Sequence, residues 1–225
     1  LVSSQSELRS AWTTLEARCI EWVGLLLPSL DLDKDREKIP RAVSDSTDLR
    51  DASDRLGTDP PPHSPSEVEW KAIQDIGQRC LDIANSLSSS EEAIRTIASE
   101  YLPSLSKLVG PLGAAKLCVL AGGRERLARM PSGSIQVLGA HAAMAAHRRG
   151  APPPKHGSVI FSMPQVSRSP RWVRGKIARF LAGKASIASR LDHFDGEPWT
   201  ELEIAEIHRL SEGIKQKFPS PPKRK

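Results

Sequence analysis

Two stretches of the chain place apolar residues at alternating spacings of three and four. In the first, Leu8, Trp12, Leu15, Cys19, Trp22 and Leu26 fall in register. In the second, Ile73, Ile76, Cys80, Ile83, Leu87, Ile94, Ile97 and Tyr101 do so, and only Ser90 breaks the line. This 3.5-residue period is that of helices paired along a narrow seam, a coiled coil. Pro28 bounds the first helix. Pro65-Ser66-Glu67 opens the second, with Ser66 a suitable N-cap because its hydroxyl can accept from a first-turn backbone N–H. Two seams in one chain predict an antiparallel hairpin, and the longer second seam leaves a surplus for self-association. Between them, residues 31–64 are rich in Asp, Ser and Pro. They predict a long polar connection with one short helix near Asp48–Leu56. Cys19 and Cys80 read as small apolar fillers of the hairpin core.

After Tyr101-Leu102-Pro103 the pattern changes. Leu105–Leu120 is apolar and rich in small residues, which predicts a buried helix beginning after Pro111 and broken at Gly122-Gly123. A short basic helix, Arg124–Arg129, follows. Ala140–Arg149 is Ala-rich and helical by propensity, with Gly150 as its stop. Pro152-Pro153-Pro154 then stiffens the chain ahead of Lys155-His156-Gly157. A helix starting at Pro170 has an apolar side of Val173, Ile177, Phe180, Leu181, Ala188 and Leu191. Lys176, Arg179 and Arg190 share a neighbouring stripe with Gly183, Arg174 lies on another side, and Lys184 must snorkel from the apolar side or find a partner. Trp199–Lys217 forms a last amphipathic helix. The fold class is all-α: a coiled-coil domain over 1–102 with its polar connector at 31–64, a compact helical domain over 103–218, and a basic tail at 219–225.

Charge sharpens this division. Residues 1–102 carry 11 Lys and Arg against 19 Asp and Glu, whereas residues 103–225 carry 21 against 8. Between Glu125 and Asp192 there are twelve cations and no acidic residue. Solvated surfaces usually intersperse both signs, so an unopposed run of this length suits a polyphosphate partner. Within it, Lys155, His156 and Gly157 form a Pro-braced loop shaped to touch a phosphate or stack on a base. Arg148 and Arg149 extend the charge, although capping of their helix explains them equally. Arg190 has a structural alternative too, as the partner of Asp192.

Several classes of function drop out. No apolar run approaches the ~18–20 residues that cross a bilayer. The three cysteines are far apart and include no CxxC, and the six histidines show no metal-ligand spacing, so neither metal nor cofactor is expected. No nucleophile–base pair is apparent, and the basic stretch lacks the carboxylates that acid–base chemistry would use, so the chain reads as a non-enzyme. The first residue is Leu, which points to a fragment.

The stretches YLPSLSKLVGPLGAAKLCVLAGG (101–123), MPSGSIQVLGA (130–140), PPKHGSVIF (153–161) and SPRWVRGKIARFLAGKASIASRLDHF (169–194) together resemble the Nop domain of box C/D ribonucleoprotein scaffold proteins. LEARCIEWVGLLLPSL (15–30) resembles the coiled coil that precedes this domain in archaeal members. The resemblance implies a scaffold that grips a kink-turn guide RNA together with a small ribosomal-type protein seated on it. It also implies self-association through the coiled coil. Recruitment of the 2′-O-methyltransferase fibrillarin is implied only where a further N-terminal domain, not seen in these residues, is present. Carried over by position, Lys155, His156 and Gly157 approach RNA, as do Arg174, Lys176, Arg179, Lys184 and Arg190. Two departures stand out. GAHAAM (139–144) replaces the usual GAEKAL, so Ala142 stands for a Lys, and Ser162 replaces a Gln. A spliceosomal pre-mRNA-processing relative is the alternative within the family. The expected location is the cytoplasm of an archaeal cell, or the nucleolus of a eukaryotic one.

Overall fold

The computed structural model describes residues 1–222, so Lys223, Arg224 and Lys225 of the basic tail lie outside the described residues. All regular structure among the described residues is α-helical, as the sequence predicts. The first part comprises α1 (Val2–Leu26), α2 (Ile39–Asp45), α3 (Leu49–Leu56) and α4 (Glu67–Tyr101). By contacts the chain divides into two compact units that meet near residue 92, within α4.

In the first unit α1 and α4 run antiparallel. Arg9 pairs with Glu91 at 2.5 Å, Trp12 lies beside Leu87, Cys19 meets Cys80, and Leu26 lies beside Ile73. Ser66 and Glu69 close a capping box at the start of α4: the carboxylate accepts from Ser66 N at 2.8 Å and the hydroxyl from Glu69 N at 3.3 Å. The predicted seams need one correction. Trp22, Ile97 and Tyr101 are exposed at 41%, 52% and 50%. A straight α-helix turns every 3.6 residues, so a 3.5-residue stripe drifts off the buried face with length. The buried line shifts to Ile20 and Val23 in α1 and to Leu27 at its C-cap, while in α4 it keeps the predicted Leu87 and Ile94 and then passes to Ala98.

A second correction concerns residues 31–64, which are more than a polar link. Ile39, Val43, Leu49, Ala52 and Leu56 from α2 and α3 join Cys19, Val23, Trp70 and Ile73 in one core. These apolar residues are spaced among Asp and Ser, so bulk composition conceals them. Asp48 caps α3 by accepting from Asp51 N at 2.9 Å, and Trp70 Nε1 donates to Thr47 O at 2.9 Å. Gly77 lets α2 approach, since a Cβ there would stand 2.9 Å from Pro40 O. Glu16, 4% exposed, is held by Arg36 from the same segment at 2.6 Å.

Burial pushes the Cys19 thiol up to about 12, with Cys80 and Glu16 adding to the shift. The unfolded thiol ionises near 9, so its contribution to stability is complete below pH 9 and is lost as pH rises towards 12. The native protein at pH 8 is therefore expected to react with iodoacetamide at Cys19 and Cys80 only on unfolding. Mass spectrometry with and without urea tests this, and fast native labelling would contradict it.

The second unit contains α5 (Pro103–Val109), α6 (Pro111–Ala121), α7 (Arg124–Arg129), α8 (Ser132–Val137), α9 (His141–Arg148), α10 (Ser158–Ser162), α11 (Pro164–Ser167), α12 (Arg174–His193) and α13 (Glu201–Lys217). Leu105–Leu120 is thus split. Gly110, at φ +81, turns α5 into α6 through 114°. Among the described residues no single helix is long and apolar enough to cross a membrane. The central helix is α12, which packs against α5, α7, α8 and α13 and buries Ile177, Ala178, Leu181, Ala185 and Ala188. It begins at Arg174, not at Pro170. Residues 170–173 form a turn, with Val173 N bonded to Pro170 O at 3.1 Å. Arg174 reaches back to that turn, where Ser169 O and Ser167 O accept from its Nε and Nη2 at 2.8 and 2.9 Å. At the other end, the Asp192 carboxylate accepts from Ser104 N at 2.8 Å and Leu105 N at 2.9 Å, capping α5.

Candidate nucleic-acid interface

The Pro-braced loop is shaped by one buried amide and one glycine. Gln136, 8% exposed, donates from Nε2 to Lys155 O at 2.6 Å, and its backbone carbonyl accepts from Gly157 N at 2.7 Å. Both ends of Lys155-His156-Gly157 are thereby pinned to α8. Gly157 sits so close to the end of α8 that a Cβ would stand 1.8 Å from Leu138 O. The aliphatic stem of Lys155 runs along α12 at Gly175, where a Cβ would meet it at 3.5 Å. These contacts hold the exposed Lys155 side chain beside α12.

Lys155, Lys176 and Arg179 line one open groove of about 1020 Å³, together with Trp172 and Phe218. Among the described residues no acidic side chain lines it. The Lys176 ammonium stands 4.1 Å from the centre of the Phe218 ring, a cation–π contact that holds the side chain over the groove. Trp172 Nε1 donates to Phe218 O at 3.0 Å and ties the end of α13 to the turn before α12.

The remaining predicted residues distribute differently. His156 lies on the adjoining face, stacked on Phe161 with ring centres 4.6 Å apart and planes at 16°. Arg174 stands 5.5 Å from the centre of the same Phe161 ring and spends its guanidinium on the carbonyls of Ser167 and Ser169, so it builds the site more than it meets a ligand. Arg190 is exposed, as Lys176 and Arg179 are, with Gly183 half-buried between them, and is anchored by Nε to Ala128 O at 3.1 Å. The proposed Arg190–Asp192 pair does not form, because α5 takes both carboxylate oxygens. Lys184 is half-buried against Phe180, 5.8 Å from its ring, and lies outside the groove lining. Arg148 and Arg149 are exposed at the end of α9, also outside that lining.

Burial, and then the Arg174 cation, hold the His156 imidazole below its ordinary 6.5. It is therefore neutral at pH 7 and offers the groove's neighbour a stacking face and a hydrogen bond, not a charge. Because the unfolded imidazole protonates first, its contribution to stability is present above pH 6.5 and falls as pH drops through the folded value. An NMR titration of the imidazole is expected to show a midpoint below 6.5. A midpoint above 6.5 would mean that Arg174 and burial do not govern it.

Gln136, Trp172, Phe161 and Phe218 escape a reading of sequence alone. The signal for Gln136 is a lone amide inside the apolar run SIQVLG, which must find a buried partner. Trp172 stands between two cations in PRWVR, but nothing local indicates that Phe218, 46 residues on, closes the same groove. Among the described residues no group of three or more His, Cys, Asp or Glu side chains could hold a metal ion.

Residues 32–216 match the family model described as Nop, snoRNA binding domain, fibrillarin. An uncharacterized NOP5 family protein of Methanocaldococcus jannaschii is 45% identical over 129 residues, which are 57% of this chain and 31% of that protein. Nucleolar protein 56 of Mus musculus is 35% identical over 135 residues, 59% of this chain and 23% of that protein. The chain thus spans less than a third of these curated relatives. A crystal structure of a fibrillarin/Nop5p complex is similar at a TM-score of 0.53 and 26% identity, over 95% of this chain and 74% of that one.

Proposed function

The chain belongs to the Nop family of snoRNA-binding domains, and from that premise we propose that it is an RNA-binding scaffold of a box C/D-type ribonucleoprotein. The observation that carries this reading is the convergence of Lys155, Lys176 and Arg179, from two separate segments, on one groove without an acidic lining. Such a surface releases counterions when it meets a phosphate backbone, and binds without reading base sequence. The ligand is a kink-turn RNA already carrying its ribosomal-type protein, with Lys155, His156, Lys176 and Arg179 on the RNA and Gly157 shaping the loop. Arg148, Arg149, Lys184 and Arg190 add peripheral charge, while Arg174 supports the site from behind. The names of the relatives favour the box C/D branch over the spliceosomal one.

In that assembly the chain supports guided 2′-O-methylation by positioning RNA for fibrillarin and performs no chemistry itself. Self-association would use the hairpin, where Trp22, Leu25 and Val68 line an exposed apolar groove of about 570 Å³. The site of action is nucleolar in a eukaryotic setting and cytoplasmic in an archaeal one.

The test is a titration of kink-turn RNA with and without its ribosomal-type protein, repeated across salt concentrations. Binding is expected to tighten with the protein present. Three phosphate contacts predict a log–log salt slope of about −2 to −3. The double variant Lys155→Ala/Arg179→Ala is expected to lose ~3 kcal/mol and to flatten that slope, since charged hydrogen bonds contribute ~1.5–3 kcal/mol each. Salt-independent binding, equal with and without the protein, would contradict composite recognition.

A further inference from the structure

The groove beside Lys155 has a wall that phosphate recognition leaves unexplained. Trp172 and Phe218 are 36% and 42% exposed there, the aromatic members of a lining that otherwise combines three cations with Ser132, Gln136, aliphatic side chains and prolines. The Trp172 indole N–H is already satisfied by Phe218 O, so what the residue presents is its ring face. Phe218 is engaged by Lys176 and orients that ammonium, which leaves Trp172 as the open aromatic platform. Pro152, Pro153 and Pro154 also line the groove and stiffen it, so little order is lost when a ligand enters.

A duplex presents phosphates and riboses and keeps the faces of its bases stacked inside. An aromatic face flanked by cations matches a strand whose bases are uncovered. At about 1020 Å³, the groove equals the upper end of small-molecule pockets, more than one nucleotide needs. With three cations and no acidic lining residue, its charge favours a polyanionic strand over an ordinary peptide.

We propose that this groove binds unpaired RNA nucleotides, with a base stacked on Trp172 and the flanking phosphates on Lys155, Lys176 and Arg179. The proposal rests on the reading of the chain as RNA-binding and adds strandedness to it. Unpaired nucleotides next to a stem would enter the groove, while the stem itself lies outside.

The experiment uses the full chain with an eight-nucleotide oligouridine and, separately, an RNA duplex of matched phosphate count. Oligouridine is expected to quench tryptophan fluorescence and the duplex to leave it nearly unchanged. Trp172→Ala is expected to weaken oligouridine binding about tenfold, the scale of one stacked base, with duplex binding altered less than about twofold. Trp172→Phe is expected to keep most of the affinity and lose the quench, which separates stacking from misfolding. Binding of neither RNA would overturn this proposal, whereas the RNA-binding reading itself fails only if the kink-turn RNA with its ribosomal-type protein is not bound either. Binding of both, with Trp172→Ala affecting them equally or not at all, would overturn only the strandedness. So would polyglutamate competing as well as oligouridine.

Discussion

Gly157→Ala is expected to lower affinity for kink-turn RNA by more than about 100-fold, because it displaces the loop that carries Lys155 and His156. The backbone angle at Gly157, φ −89, suits any residue, so the constraint is space alone. A methyl group would stand 1.8 Å from Leu138 O, 2.7 Å from its carbonyl carbon and 2.8 Å from the carbonyl carbon of Val137. All three are backbone atoms, and none can swing aside as a side-chain tip would. The loop must therefore lift from α8, breaking the bond from Gly157 N to Gln136 O and pulling Lys155 O from Gln136 Nε2. Losing several contacts at ~1.5–3 kcal/mol each gives the stated effect, as 1.4 kcal/mol is a factor of ten. RNA titration together with thermal melting separates loop displacement from unfolding. Affinity near that of the parent chain would show that the loop accommodates the methyl group.

Asp192→Ala carries the largest expected effect on stability, about 4 kcal/mol in urea unfolding of the second unit. Asp192 is 6% exposed, and each carboxylate oxygen accepts a backbone N–H from the first turn of α5. Truncation removes two charge-assisted bonds and leaves two buried donors without partners, each costing ~1–3 kcal/mol. Asp192→Asn keeps one acceptor oxygen and is expected to lose about half as much. The effect reaches the RNA face only through folding: at temperatures where the variant remains folded, the salt slope of RNA binding is expected to stay unchanged. A loss below about 1 kcal/mol for the alanine variant would mean that α5 finds another cap.

Much of the architecture is written locally. The capping residue Ser66, the break at Gly122-Gly123 and the alternating three–four spacing of Leu8 to Leu26 act within one or two turns of chain. A linear reading can follow such signals because each depends on neighbours in sequence. The same holds for the unopposed cations between Glu125 and Asp192 and for the Pro-braced Lys155-His156-Gly157. Where linear reading failed, the deciding neighbour was distant. Trp22 leaves the seam once helical drift turns it from α4. Ile39 and Val43 become core only because Cys19 and Trp70 stand opposite them.

The sequence by itself determined that the chain is helical, that its charge is segregated, and that a cationic loop and a cationic helix exist. Only the tertiary structure decided which cations meet. Lys155, Lys176 and Arg179 share a groove, whereas Arg174 is turned onto Ser167 and Ser169. It likewise decided that Asp192 caps α5 instead of pairing with Arg190, and that Phe218 returns to close the site that Trp172 opens. The reason is one of range. Helix periodicity, capping and net charge act over a few residues, but a buried donor or carboxylate binds whichever complementary group the packed chain brings within about 3 Å, and that group lay 46 to 88 residues away.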